Sequence, residues 1–300
     1  MAFEPPQRLV RALGELPDPT ATDQWLERLP RLAEEAMARH EVRAERVQAP
    51  GGRSSLVVLV RYPDGTPATV KLAPPAGRPG AERAALERWG GFGAVRLLDD
   101  RHREGGELLL ERLRPEVSLR SLPEAKALLE AAGTVRRLWV PVEPGHPFET
   151  VAERTARQSA GWEAAPEVAR PLVRVARAVR EELVAAAEPE EFLLHGAFRQ
   201  GKVLAGDRAP WLTVGPEPVV GERAYDLARL VRDRLEDQIA GSGGPGTARR
   251  RMNRLADSLE LDRDRLRGWT LFRAVESGVR ALTVGRRRDG ELLLEYAGWL

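Results

Sequence analysis

Short apolar runs separated by turns dominate residues 42–113. The runs VRAERVQAP, SSLVVLVRYP and PATVKLAPP are rich in β-branched residues, and PDGT at 63–66 is typical of a hairpin turn. Residues 80–89 have helical spacing, and the runs AVRLLDD and GELLLERL follow as two further strands. This order predicts a compact α+β unit, in which a five-stranded antiparallel sheet carries one helix after its third strand.

Helical spacing dominates the rest of the chain. An N-terminal helix is predicted over 23–41, with a kink or break at Pro30. The later predicted helices cover 122–139, 166–187, 223–239, 246–259, 263–283 and 290–299, and the segment 191–215 is the one predicted β interruption among them. We therefore predict an N-terminal helical extension (1–41), a small N-lobe with the sheet and one helix (42–116), and a helical C-lobe (117–300).

Composition excludes several classes of protein. A net charge of +2 argues against a dedicated nucleic-acid-binding protein. The chain has no cysteine, which excludes disulfides and thiolate chemistry, and its four histidines lack the spacing of metal ligands. No segment approaches the roughly 20 apolar residues of a membrane span, and the N-terminus lacks the apolar core of a signal peptide. We therefore expect a cytoplasmic protein with neither a nucleic-acid nor a membrane partner.

The sequence HGAFRQGKVL at residues 195–204, which we call the His-Gly loop, has the form of a catalytic loop without catalytic groups. An apolar run leads into it and another leads out, as in a strand–loop–strand unit. It contains no Asp, Glu, Asn, Ser or Cys. The carboxylates, amides, hydroxyls and thiols of these residues are common proton acceptors, metal ligands and nucleophiles.

A small sheet-containing lobe followed by a helical lobe is the plan of a protein-kinase-like fold. Lys71, one of only three lysines, lies on the third predicted strand, where a lysine can reach nucleotide phosphates. Glu82, at the start of the next helix, could pair with Lys71, and Glu87 is its competitor. The alternatives are a surface strand lysine and an acid favoured by the helix dipole.

The turn between the first two predicted strands is rich in glycine. Its sequence APGGRSS places Gly51, Gly52 and Ser54 where backbone N–H groups could cover nucleotide phosphates. Two glycines in a hairpin turn are more often only a turn. The sequence therefore offers this segment as a candidate nucleotide-binding loop and no more.

Three long runs resemble the streptomycin 6-kinase and hydroxyurea phosphotransferase family of antibiotic-resistance kinases. They are GAVRLLDD with GELLLERLRPEVSL, the run FLLHGAFRQGKVLAGDRAPWLTVGPEPVVGERAYDLARLVRDR, and WTLFRAVESGVRAL. The similarity spans roughly residues 50–285. It implies a bilobal aminoglycoside-phosphotransferase fold, with ATP as donor and a small hydroxylated antibiotic as acceptor. The ligand expected in the cleft between the lobes is therefore a small molecule or a nucleotide. The resemblance also implies that the backbone of Glu111, Arg112 and Leu113 meets the adenine.

The chain departs from this family at four positions of the His-Gly segment. Ala197 stands where the family has its catalytic Asp, and Arg199 stands where it has a second His. Lys202 replaces an Asn that binds magnesium, and Gly215 replaces an Asp that binds magnesium. Ala197 cannot accept a proton, and neither replacement gives magnesium a side-chain oxygen. The resemblance therefore implies a member with no intact catalytic residue, in which magnesium is not expected.

These losses predict a pseudokinase that acts as a nucleotide- or small-molecule-binding module, a role with which a protein partner is compatible. A nucleotide could bind without metal between Lys202 and Lys71, or Lys202 could point to solvent. An active phosphotransferase in which Glu217 or Asp207 replaces the lost acids is the alternative. A third hypothesis is a purely structural interaction protein with a closed cleft.

Overall fold

The computed structural model describes residues 3–16, 18–98, 106–185, 190–241 and 243–300. Two compact units are present. The first comprises residues 1–117 and 204–214, and the second comprises 118–203 and 215–300. No helix in the described ranges is both long enough and apolar enough to cross a membrane.

Two helices precede the strands of the first sheet, and helices dominate the later part of the chain. The strands are β1 (Arg43–Val47), β2 (Leu56–Arg61), β3 (Pro67–Leu72), β4 (Glu107–Glu111), β5 (Arg114–Ser118), β6 (Val140–Pro141), β7 (Phe192–Leu194), β8 (Val203–Ala205), β9 (Leu212–Thr213) and β10 (Val219–Gly221). The helices are α1 (Gln7–Leu13), α2 (Pro19–Arg39), α3 (Pro79–Trp89), α4 (Glu124–Arg136), α5 (Val151–Ala160), α6 (Arg170–Val184), α7 (Arg223–Val231), α8 (Leu235–Ala240), α9 (Gly244–Leu259), α10 (Arg263–Thr283) and α11 (Arg287–Ala297).

The first unit is built on an antiparallel sheet of order β1-β2-β3-β4. Its central strand β3 places Lys71 opposite Val57 of β2 and Leu108 of β4. Helix α3 follows β3 and packs against β4. A second, small sheet has the order β5-β8-β9. Through this sheet the segment 204–214, which comes much later in the sequence, joins the first unit.

The N-terminal helices form part of the core of the first unit. Leu9 of α1 and Leu29 of α2 belong to the same buried cluster as Leu56 and Val58 of β2. Helix α2 runs through Pro30 without ending there, although the sequence predicts a kink or break at this residue. Pro30 lies on the exposed face of α2, so the packing of the opposite face can offset the hydrogen bond that proline cannot make.

The fourth predicted strand is replaced by isolated bridges. Of the predicted run AVRLLDD, Ala94 bridges Thr213 of β9 and Leu97 bridges Leu110 of β4. The N–H of Arg96 donates to the Glu111 side chain at 2.7 Å instead of to a strand partner. The segment thus divides its pairing between two sheets, and within the described residues the main sheet has four strands. The end of the run, at 99–100, lies outside the described residues.

The second unit is mainly helical. Helix α10 is its centre and packs against α6, α7, α9 and α11. Its sheet has the order β10-β7-β6, and β7 leads directly into the His-Gly loop. The single helix predicted over 223–239 is two helices, α7 and α8. They are separated at Arg234, which has a φ of +56° and whose guanidinium donates to the carbonyl of Leu122 at 2.8 Å.

Candidate functional site

In the first unit, Lys71 and Glu82 form the predicted pair. Lys71 Nζ of β3 donates a hydrogen bond to Glu82 Oε2 in the first turn of α3, so Glu82 and not Glu87 is the partner. Both residues are buried, at 9% and 2% exposure. The other oxygen of Glu82, Oε1, has no hydrogen-bond partner within the described residues. The pair fixes the lysine, and its role toward a nucleotide stays a prediction.

The glycine turn between β1 and β2 is held by the N-terminal segment. Gly51 has a φ of +71°, and a Cβ there would lie 3.1 Å from the Pro6 side chain. Arg53 forms an ion pair with Glu15 at 2.6 Å. Gly52 is half-buried and Ser54 is exposed. The turn therefore has a fixed conformation in this unit, and binding of phosphates by it stays a prediction.

The segment Glu111–Leu113 has its side chains occupied. The Glu111 carboxylate accepts hydrogen bonds from the Arg96 N–H and the Arg208 guanidinium, each at 2.7 Å. Arg112 donates to the carbonyls of Ala68 and Val60 at 2.8 and 2.6 Å. Leu113 is buried. These three residues can therefore offer an adenine only their backbone, and adenine binding by this segment stays a prediction from the resemblance.

Asp207 belongs to the first unit and is engaged at its surface. Its carboxylate accepts a hydrogen bond from Arg114 at 2.6 Å, and its side chain is strongly exposed. Glu217, the other candidate replacement acid, belongs to the second unit.

In the second unit, Asp226 of α7 holds the start of the His-Gly loop. Its two oxygens accept hydrogen bonds from the N–H groups of His195 at 3.0 Å and Gly196 at 2.8 Å, and Trp139 Nε1 donates to it at 3.3 Å. Burial raises the pKa of Asp226, although these hydrogen bonds and the charge of Arg273 act to lower it. Asp226 thus fixes the loop from within the core.

Gly196 can be only glycine in this arrangement. Its φ is +72°, and a Cβ would collide with the Glu217 carbonyl. Arg273 donates to the Gly196 carbonyl at 2.7 Å, and the Glu217 N–H donates to the His195 carbonyl at 2.9 Å. His195 and Gly196 therefore support the backbone, which explains their presence without any catalytic role.

Ala197 gives this site no chemical group. It is fully buried, and its N–H donates to His195 Nδ1 at 3.3 Å. The next residue, Phe198, is also fully buried and meets the His195 ring edge-on at 5.8 Å between centroids. Arg199 is half-buried. A buried methyl group therefore occupies position 197, and its correspondence to a catalytic Asp stays a prediction from the resemblance.

Lys202 and Gly215 meet each other. Lys202 Nζ donates to the Gly215 carbonyl at 2.5 Å, and only 18% of its side chain is exposed, so it does not point freely to solvent. Gly215 has a φ of +60°, and a Cβ there would lie 3.7 Å from Lys202 Nζ. The ammonium group therefore fills the space into which an aspartate at 215 would project.

The residues at this position do not fit a magnesium ion. Magnesium requires about six oxygen ligands in octahedral array, and here a lysine brings its own positive charge. Across the described ranges, no group of three or more His, Asp or Glu side chains is placed to hold a metal ion.

The positive charges around Glu217 are not predicted by the sequence analysis. Lys202 Nζ lies 3.5 Å and an Arg229 nitrogen 3.9 Å from Glu217 Oε1. Burial raises the pKa of Glu217, but the charges of Lys202, Arg229, Arg273 and Arg154 outweigh this and hold the pKa below its ordinary value. One signal was available, because Arg229 follows Asp226 by three residues and so lies on the same face of α7.

Comparison with known proteins places this geometry in context. Residues 40–285 match the model of the aminoglycoside/hydroxyurea antibiotic resistance kinase family. A streptomycin 6-kinase of Streptomyces glaucescens is 34% identical over 89% of this chain and 91% of that protein. A hydroxyurea phosphotransferase of Kitasatospora aureofaciens is 36% identical over 82% of this chain and 74% of that protein.

A solved structure shows the fold. It is a thermostable mutant of aminoglycoside phosphotransferase APH(4)-Ia in ternary complex with ADP and hygromycin B. It has a TM-score of 0.61 and 14% identity, over 88% of this chain and 96% of that one. The predicted fold class, α+β of the aminoglycoside-phosphotransferase type with an antiparallel sheet and a helical part, is confirmed.

Proposed function

The chain belongs to the aminoglycoside/hydroxyurea antibiotic resistance kinase family, and from this premise we propose that it is a catalytically degenerate member. It binds a nucleotide or a small molecule as a regulatory or interaction module and does not carry out magnesium-dependent phosphoryl transfer. The observation that supports the proposal most strongly is the contact between Lys202 Nζ and the Gly215 carbonyl, because it fixes a cation between the two positions for which the resemblance implies magnesium ligands.

The chemistry of the loss supports this proposal. Without a carboxylate at Ala197, no group at that position can orient and deprotonate an acceptor hydroxyl. Loss of a general base alone costs about 10²–10⁴ in rate. Loss of the metal removes the charge stabilisation of the transferring phosphoryl group as well. The two losses together leave an enzyme with neither part of the usual mechanism.

The first unit retains two side chains suited to nucleotide binding, Lys71 and Glu82. Lys71 is buried and held by Glu82, so it is positioned for an anion and is not a freely moving surface lysine. The solved relative with ADP supports a nucleotide as its ligand. Because no magnesium is required in this proposal, binding should not depend on the metal.

Titration calorimetry tests the proposal. We expect ATP to bind equally well with magnesium and with a chelator, and we expect Lys71→Met to weaken that binding about tenfold or more, because a buried charged partner is lost. The exposed Lys126 on α4 offers a matched control, and Lys126→Met should leave binding unchanged.

A phosphotransfer assay is the second arm. Streptomycin and hydroxyurea, for which the relatives are named, are offered with ATP and magnesium. We expect no phosphorylated product. Magnesium-dependent product formation that disappears in Lys71→Ala would overturn the proposal.

The second candidate function is an active phosphotransferase in which another acid replaces the absent catalytic Asp. Of the two acids considered, Glu217 is better placed for this role than Asp207. Glu217 lies beside Lys202 of the His-Gly loop, whereas Asp207 belongs to the first unit and is paired there with Arg114. The low pKa of Glu217 makes it a weak proton acceptor, which counts against this candidate. It requires an activity that Glu217→Gln abolishes.

A further inference from the structure

Two cations of the second unit face one carboxylate beside the His-Gly loop. Lys202 Nζ and an Arg229 nitrogen lie 3.5 and 3.9 Å from Glu217 Oε1. The side chains of Lys202 and Arg229 are largely buried, at 18% and 19% exposure, whereas that of Glu217 is 54% exposed. The cations are therefore set within the protein, and the carboxylate stands on their solvent side.

One nitrogen of the Arg229 guanidinium lacks a hydrogen-bond partner in the part of the chain that the structure describes. This nitrogen, Nε, is buried. The separation of 3.9 Å from Glu217 is too long for a hydrogen bond. A buried donor without an acceptor destabilises a protein, and such a group in a native structure calls for a ligand or a water molecule. An anion with several acceptor oxygens would satisfy it.

Charge balance favours an anion of more than one charge. Arg154 has its own partner in Glu149 at 3.0 Å, and Arg273 lies close to the buried Asp226. Lys202 and Arg229 both face Glu217. Glu276, another acid that acts on Arg229, also acts on Arg232 and lies 3.7 Å from Arg280. Burial acts to lower the pKa of Arg229, but Glu217 and Glu276 raise it above its ordinary value, so this residue stays charged. A phosphoryl group, which carries up to two charges at neutral pH, fits this excess.

The backbone of Glu217 is fixed by hydrogen bonds, whereas its side chain can move away from the two cations. Its N–H donates to the His195 carbonyl at 2.9 Å, and its own carbonyl accepts from Arg154 at 2.7 Å. The exposed carboxylate can turn into solvent without breaking either bond. It therefore shields the two cations and can be replaced by an arriving ligand.

We propose that Lys202 and Arg229 bind the phosphoryl group of an acidic small molecule, and that Glu217 is the internal counter-ion that this group displaces. This proposal rests on the proposed function, in which magnesium is absent, because the Lys202 ammonium group takes the position that the metal ion would otherwise have. It gives the second unit an anionic ligand, and a polycationic ligand is repelled by the same two residues.

Calorimetric titration with inorganic phosphate, free of magnesium and nucleotide, tests the proposal. We expect Lys202→Met and Arg229→Gln each to weaken phosphate binding about tenfold or more, since each removes a charged donor. Glu217→Gln should tighten phosphate binding, because the competitor for the cations is gone. Glu236→Gln, on the exposed face of α8, is the matched control and should bind as the unchanged protein does.

The Glu217→Gln variant separates this proposal from its opposite. If Glu217 serves to hold a cationic ligand, the variant loses affinity for spermidine and its phosphate affinity does not rise, and the proposal is overturned. Thermal melting of each variant establishes that it is folded. Absence of phosphate binding also overturns this proposal, while ATP binding through Lys71, measured separately, continues to test the proposed function.

The source of the phosphoryl group is distinguished by two further titrations. ATP and glycerol 3-phosphate are each titrated, without magnesium, into the unchanged protein and into Lys202→Met. The ligand whose affinity falls in the variant supplies the phosphoryl group. If neither affinity falls, Lys202 binds no phosphoryl group and the proposal fails.

Discussion

The contact between Lys202 and Gly215 decides which ion the His-Gly loop can hold. We expect Gly215→Asp alone to bind no divalent metal, because its carboxylate would project toward an ammonium group 3.7 Å from the new Cβ and pair with it. The double variant Gly215→Asp with Lys202→Asn offers two oxygen ligands and no cation. It should bind Mn²⁺ about tenfold or more tightly than the single variant, as measured by electron paramagnetic resonance.

Two further variants of the same residues complete this test. Lys202→Asn alone provides one side-chain ligand and serves as the control, with metal binding as weak as in the unchanged protein. All variants at 215 carry a cost of about 1–2 kcal/mol for a φ of +60°, so their stability is measured alongside. Equal Mn²⁺ affinity in the single and double variants would mean that Lys202 does not exclude the metal.

At the scale of elements, helix α2 is a structural part of the first unit. Leu29 is fully buried in the cluster that joins α2 to β2 and β3. We expect Leu29→Ala to lower the free energy of unfolding by about 2–5 kcal/mol, through lost burial and the cavity left behind. Leu129 on α4 is 71% exposed, so Leu129→Ala should cost about 0.5 kcal/mol or less. Urea denaturation measures both, and equal losses would contradict the packing of α2.

The sequence predicts best those elements whose spacing of apolar residues matches the face that they bury. The strands β2 and β3 and the helix α10 each have a regular apolar pattern, and the structure has them where the pattern placed them. The helix break at Arg234 escaped prediction because it depends on hydrogen bonds from the Arg234 side chain to Gln200 and Leu122, which are distant in sequence. Helix α5 was missed, although its capping box at Thr150 and Glu153 is a local signal.

The candidate site shows the same division. The pairing of Lys71 with a glutamate could be predicted, because strand and helix follow each other directly. The environment of Glu217 could not, since its cations come from the His-Gly loop, α5, α7 and α10. Only the folded second unit brings those four segments to one carboxylate. The sequence therefore predicts at which positions catalytic groups are absent, but it does not predict which side chains surround those positions.

At the scale of the whole molecule, the scarcity of lysine makes every amine informative. Lys71, Lys126 and Lys202 are the only lysines of the 300 residues. Lys126 is exposed, while the side chains of Lys71 and Lys202 are 11% and 18% exposed and each donates to a protein oxygen. An amine-reactive reagent should therefore modify Lys126 first and the other two slowly, as read by mass spectrometry.

The same labelling separates the two proposed ligand sites in one experiment. ATP without magnesium should slow the modification of Lys71, because its phosphates cover the amine, and inorganic phosphate should slow that of Lys202. Lys126, on the exposed face of α4, is the internal control and should react at the same rate throughout. A nucleotide that leaves Lys71 unprotected argues against the proposed function. A phosphate ion that leaves Lys202 unprotected argues against the anion site alone, because the proposed function rests on protection of Lys71 by the nucleotide.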